Sequence, residues 1–137
     1  MTAETSQGVL SDTGLRALIA AGAVLPDRPV TDAQIQPASI DLRLGSVAYR
    51  VRASFLTGPG RKVADRIAEF EMHRISLTDG AVLEKGCVYL VPLQESLALP
   101  PGLSAVANAK SSTGRLDLLT QTIIDGGVEF DRIPDGY

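Results

Sequence analysis

From residue 77 onward, short apolar segments are cut at close intervals by turn signals, and this punctuation constrains the fold more than any other feature of the chain. Segments 81–83, 88–93, 96–99 and 103–107 are separated by Asp79-Gly80, Lys85-Gly86 and Pro100-Pro101-Gly102. Short, regularly spaced strands predict an antiparallel sandwich or barrel. Residues 120–124 read as a further strand, Asp125-Gly126-Gly127 as a turn, and Val128-Glu129-Phe130 as a brief apolar–polar alternation. Pro134-Asp135-Gly136 turns the chain once more directly before Tyr137, which would leave strand edges unpaired. The expectation is therefore a part of a longer protein. Cys87, at the head of one predicted strand, reads as a small buried residue.

Ahead of this region the signals are mixed. Residues 1–9 read as a flexible tail without the apolar stretch of a secretory signal. Ser11 or Asp12 can cap a helix whose inward positions are Leu15, Leu18 and Ile19; Gly22 stops it, and Pro26 and Pro29 prevent its continuation. Ile40, Leu42 and Leu44 alternate with Asp41 and Arg43, which predicts a half-buried strand with both charges on its polar face. Asp41 then reads as a surface or interface ion-pair residue. After Gly45-Ser46, the alternation of Val47, Tyr49 and Val51 predicts the second strand of a hairpin. Val63, Ile67 and Phe70 have helical spacing and predict a short helix over residues 61–70. His73 follows beside a strand-like segment, residues 74–77, and reads as structural or surface-lying.

The stretch with the most chemical content is Lys110-Ser111-Ser112-Thr113-Gly114-Arg115-Leu116. A predicted strand gives way there to Ser-Ser at the head of a short helical turn, with Leu116, Leu118 and Leu119 continuing it. One reading is a capped turn, with Ser111 or Ser112 as the cap and both cations in solvent. The other is a phosphate cradle made of exposed N–H groups, two hydroxyls and the charges of Lys110 and Arg115. It is not a P-loop, because no Gly-rich run precedes the Lys.

Composition narrows the choice. Net charge is −3 and no basic stripe is present, which argues against nucleic acid as a partner. Aromatics make up 4% with no Trp, too few for base-stacking platforms. A small phosphorylated ligand needs only a few local cations. One Cys and one His cannot build the usual zinc site or a disulfide framework, and a reducing, cytoplasmic setting fits. No apolar run approaches the ~18 residues of a membrane span.

Three stretches together resemble the dCTP deaminase branch of the dUTPase superfamily. They are Leu10-Ser11-Asp12 with its helix, Gln34-Ile35-Gln36-Pro37-Ala38-Ser39-Ile40-Asp41-Leu42-Arg43-Leu44-Gly45, and Lys110 to Leu116, which matches an Arg/Lys-Ser-Ser-x-x-Arg-Leu motif. The resemblance runs to a longer bacterial form in which two such domains lie in one chain, and the ending from Ile123 to Tyr137 is typical of that form. It implies a distorted antiparallel β-barrel or jelly roll over residues 10–137, incomplete at its C-terminus. It also implies a homotrimer with active sites at subunit interfaces, and a pyrimidine deoxynucleoside triphosphate bound with magnesium: dCTP, or dUTP or dTTP. By the same likeness Lys110, Ser111 and Ser112 hold phosphates, and Ser111 and Arg115 lie near the reacting end. Ile123, Ile124 and Asp125 line the base and sugar pocket, and the sugar contact falls to Asp125 or Asp131, with Asp135 a third candidate.

Deamination of cytosine requires an activated water at C4 and a proton for the departing ammonia. Zinc deaminases use a His/Cys/Cys site and a Glu, which this chain does not supply, so a carboxylate with surrounding donors must activate water instead. In the resembled family that carboxylate is a Glu on the strand after the Gly-aromatic turn. Glu129 does not match it, so this sequence is expected to be inactive alone. Three functions stay open here: a dCTP deaminase part, a dUTP diphosphatase or bifunctional enzyme, and a non-catalytic structural or nucleotide-binding half of a duplicated chain.

Overall fold

The computed structural model describes residues 7–137, so most of the predicted tail lies outside the described residues. In chain order the elements are α1 (Asp12–Ala20), β1 (Val24–Pro26), a 3-10 turn (Asp32–Gln34), β2 (Val47–Val51), α2 (Val63–Phe70), β3 (Glu71–Ser76), β4 (Val88–Leu90), β5 (Glu95–Leu97), β6 (Ala105–Val106), α3 (Ser111–Arg115) and β7 (Arg132–Ile133). The architecture is mainly β and every strand pair is antiparallel. The strands form three small sheets, β1-β5, β3-β2-β4 and β6-β7, and no closed barrel forms among the described residues. The chain divides into two compact units: residues up to Arg43 with Leu93–Ala98, and Leu44–Pro92 with Leu99–Tyr137.

In the first unit, α1 starts after Ser11, which makes no side-chain cap bond, and ends where Gly22 takes a φ of 80°. The Ala23 amide then bonds back to the Leu18 carbonyl at 3.0 Å, closing the helix end as the glycine stop requires. Leu15, Ala23 and Val24 form the buried apolar cluster, with Leu18 and Ile19 half-buried.

The predicted strand over residues 40–44 is not formed, and its facing is the reverse of the expected one. Leu42 and Leu44 are exposed, at 40% and 58%, while Asp41 and Arg43 turn inward. The Asp41 amide donates to the Gln34 carbonyl and the Arg43 carbonyl accepts the Gln94 amide, both at 2.8 Å, and side chains add to these backbone bonds. Gln34 Nε2 donates to the Asp41 carbonyl at 2.9 Å, and the Arg43 amide donates to Glu95 Oε2 at 2.9 Å. Glu95 Oε1 accepts from Gln34 Nε2 at 2.9 Å and from Arg43 Nε at 2.7 Å. The rest of the Arg43 guanidinium donates to the carbonyls of Arg28 and Pro29. Glu95 has no side-chain exposure, and its partners fill the acceptor positions a buried carboxylate must satisfy. Burial alone would push the Glu95 carboxyl up, but the Arg43 amide, the Arg43 guanidinium and the Gln34 amide together hold it below the usual carboxylate range.

In the second unit, β2 pairs with β3 and β4, not with residues 40–44 as the hairpin reading required. Ala48, Val51, Phe55, Leu99 and Ile133 are buried there. The predicted helix over residues 61–70 is present as α2; Phe55 and Phe70 stack at 5.1 Å, and the Arg66 guanidinium lies over both rings. Residues 81–83 and 120–124 form no strand; Val82 is 86% exposed. Cys87 is half-exposed rather than buried, and its thiol reaches Glu84. His73 is exposed on β3.

Gly45 closes the Gln34–Gly45 motif for a steric reason. Its amide donates to the Pro92 carbonyl at 2.7 Å, and a Cβ built on it would lie 2.8 Å from that same oxygen. The obstacle is backbone, which yields less readily than a side chain. Gly45→Ala is expected to lower stability by about 1–3 kcal/mol, the usual cost of overpacking. Urea unfolding with an unchanged slope and a lower midpoint is the check.

Candidate functional site

Lys110 has φ −64° and ψ 147°, which makes it the N-cap of α3. Ser111 and Ser112 are therefore the first two helical residues, and neither is the cap that the capped-turn reading assigned. The amides of Thr113 and Gly114 both donate to the Lys110 carbonyl, at 3.0 and 3.2 Å. In a helix the N–H groups of the first turn precede the intrahelical bonding pattern, and those of Ser111 and Ser112 occupy these positions. Lys110, Ser111, Ser112 and Arg115 are all exposed, and Thr113 between them is half-buried. The hydroxyls and both cations thus stand on an open surface.

The helix stops at Arg115 and does not run on through Leu116–Leu119 as the sequence suggested. Asp117 adopts φ 59°, its amide donates to the Gly114 carbonyl at 3.0 Å, and the Leu118 amide donates to the Thr113 carbonyl at 3.3 Å. This is a Schellman-type end made with Asp in place of Gly. Leu116 and Leu119 are left outward, at 73% and 101% exposure.

Asp131 closes the base of this excursion. With φ 62°, it donates its amide to the Thr122 carbonyl at 3.0 Å and accepts the Thr122 amide on Oδ1 at 2.7 Å. Its carbonyl accepts the Ala107 amide at 2.8 Å. One residue therefore binds the chain both before and after the Ser-Ser turn. Asp125 is also engaged: Oδ1 accepts the Val63 amide at 2.7 Å, and its own amide donates to the Tyr137 hydroxyl at 3.1 Å. Asp135 accepts the Gly102 amide at 3.0 Å. All three sugar-contact candidates thus have a backbone amide as partner, which gives each a structural role.

An apolar groove of about 330 Å³ lies on the β6-β7 sheet. Val106, Ile124, Gly127, Val128 and Ile133 line it, with Glu129 and Arg132 among its polar residues and paired at 3.2 Å. Its size is at the small end of ligand pockets. Ile124, expected in the base and sugar segment, is on its wall; Lys110, Ser111, Ser112 and Arg115 are not among its lining residues. The link between groove and cradle is Asp131, which bonds Ala107 directly after β6 and precedes β7. Sequence reasoning overlooked Val106 and Ile133 as groove residues, although the alternation in residues 103–107 was a usable signal for the first.

Comparison with known proteins places these features in context. A family model described as the 2'-deoxycytidine 5'-triphosphate deaminase (DCD) N-terminal domain matches residues 6–137. A solved structure, 2'-deoxycytidine 5'-triphosphate deaminase from Agrobacterium tumefaciens, is 55% identical with a TM-score of 0.91. The match covers 95% of this chain and 39% of that one. A dUMP-forming dCTP deaminase of Acidothermus cellulolyticus is 36% identical over 117 residues, covering 83% of this chain and 59% of the relative. A dCTP deaminase of Halorubrum lacusprofundi is 30% identical, covering 87% and 61%. The chain therefore spans about three-fifths of the length of these two curated relatives.

Proposed function

This chain belongs to the 2'-deoxycytidine 5'-triphosphate deaminase family, and from that premise we propose that it supplies the nucleotide-binding part of an enzyme converting dCTP and water to dUTP and ammonia. The observation that carries the proposal is the exposed Lys110–Arg115 turn, where two first-turn amides, two hydroxyls and two cations stand together. Lys110, Ser111, Ser112 and Arg115 hold the triphosphate, with Ser111 and Arg115 nearest the reacting end. The groove on β6-β7 takes the base and sugar, with Asp125 and Asp131 shaping the pocket. Magnesium arrives on the phosphates of the nucleotide, with no protein ligand set assigned to it. The proposed chemistry runs without zinc, a reading supported by the sequence, whose one His and one Cys are too few for the usual zinc ligand set.

On this reading the chain binds dCTP but does not turn it over alone. This reading is supported by the engagement of the nearby carboxylates elsewhere: Glu129 pairs with Arg132, and Asp125 and Asp131 each accept a backbone amide on Oδ1. The protein works as a homo-oligomer in the cytoplasm, with Leu116, Leu119 and Val128 among the outward apolar residues available to a neighbouring copy. Among the described residues no helix is long and apolar enough to cross a membrane. The pI of about 5.1 speaks against nucleic acid as a partner.

A second reading is favoured by relatives whose names specify a dUMP-forming enzyme. The full-length protein would then also release pyrophosphate. Incubation with dCTP and with dUTP separates the two: ammonia alone supports the deaminase, and ammonia with pyrophosphate supports the bifunctional enzyme. Calorimetry of the 137-residue chain with magnesium and dCTP tests binding, and absence of heat would refute the nucleotide assignment.

A further inference from the structure

We infer that Val63 and Asp125 form a clasp that positions the groove wall, with the N-terminus of α2 holding the Asp125–Gly127 turn from outside. Three bonds join the segment before and at the start of α2 to this turn. The Gly58 amide donates to the Gly127 carbonyl at 2.9 Å, the Gly126 amide to the Arg61 carbonyl at 2.8 Å, and the Val63 amide to Asp125 Oδ1 at 2.7 Å. Ile124, Gly126 and Gly127 line the groove; Asp125 does not. The Asp125 carboxylate faces a helix N-terminus, where a negative charge and a free amide are complementary.

Both sides of the clasp are stiff. α2 is fixed at its far end by the Phe55–Phe70 stack and the Arg66 guanidinium over both rings. On the groove side, a Cβ on Gly127 would come within 2.9 Å of the Ile124 side chain and 3.0 Å of its carbonyl, so the turn is tightly folded against the residue that forms the wall. A loosened Asp125 lets Ile124 and Gly127 shift together. Asp125 is thus a positioning residue that acts through the groove wall, and Val63, distant in sequence, is its partner.

The identity of the ligand rests on the nucleotide reading above; the clasp itself does not. Val63→Pro isolates the bond. Position 63 is the first residue of α2, where Pro is well accommodated, and Lys62 before it has φ −101° and ψ 148°, a conformation compatible with a following Pro. The substitution removes the amide donor and leaves the helix in place. In the full chain, hydrogen exchange at Gly126 and Gly127 is expected to quicken about tenfold, the range for losing one charge-assisted bond. Affinity for magnesium dCTP should fall by a similar factor. Asp125→Ala should reproduce both effects, Asp125→Asn, which keeps a carbonyl acceptor, should restore most of each, and the Val63→Pro/Asp125→Ala double variant should be no worse than either single one. If Val63→Pro leaves exchange and affinity unchanged while Asp125→Ala weakens binding, Asp125 touches the ligand directly and the clasp is wrong. If wild type binds no nucleotide yet exchange quickens, the clasp stands and the nucleotide assignment falls.

Discussion

Glu95→Ala is expected to lower the unfolding free energy by about 3–5 kcal/mol, the range for removing one partner of a buried ion pair. The carboxylate has no side-chain exposure and accepts from Gln34, from the Arg43 amide and from the Arg43 guanidinium. Its loss strands three donors. Those donors also shape residues 34–43, so the damage should spread to that segment. Glu95→Gln keeps an acceptor but loses the charge and should cost less, about 1–3 kcal/mol. Urea denaturation followed by circular dichroism measures both; a midpoint unchanged in Glu95→Ala would contradict the arrangement.

The same carboxylate sets a pH dependence of known sign. Its pKa is lower in the folded state than in the unfolded chain. The unfolded chain then binds more protons as pH falls below about 4.3, the ordinary glutamate value. The stabilisation is therefore complete above that value and is lost as pH falls through the lower folded pKa. Wild type should show a falling urea midpoint below about pH 4.3, and Glu95→Gln should show a flatter decline over the same window.

The second large effect concerns binding. Replacing Lys110 and Arg115 together with Ala should reduce affinity for magnesium dCTP by about two to four orders of magnitude. Each charged hydrogen bond to phosphate contributes about 1.5–3 kcal/mol, and tenfold in affinity is about 1.4 kcal/mol. Both side chains are exposed, so the thermal midpoint should change little. Calorimetry reads the affinity. Equal affinities for variant and wild type would leave an ordinary solvent-exposed helix start and no cradle.

What could be read from the sequence was set by local forces. α1, its Gly22 stop and α2 were legible because apolar spacing and a left-handed glycine act within a few residues. β2 formed over the residues expected and β3 over a longer span than the predicted 74–77, while β4, β5 and β6 were found as elements but shorter than expected. The Ser-Ser turn was located correctly, because the change from extended to helical backbone is local. The facing of residues 40–44 was not legible: it is decided by Glu95, far away in sequence, whose carboxylate draws Arg43 inward. Alternation gave the period but not its phase. The roles of Asp125 and Asp131 were hidden for the same reason, since both bond to amides that sequence spacing does not bring near. The mainly β, antiparallel character expected from the family likeness is present, as three small sheets that form no closed barrel among the described residues.

The inverted strip at residues 40–44 has a practical corollary for anyone improving the handling of this protein. A surface-polishing scheme guided by hydropathy would spare Leu42 and Leu44 as interior and treat Asp41 and Arg43 as disposable. In the free chain the two leucines are the places where Lys or Glu can be introduced at little cost, while Arg43→Leu would leave Glu95 with its charge and no counter-ion.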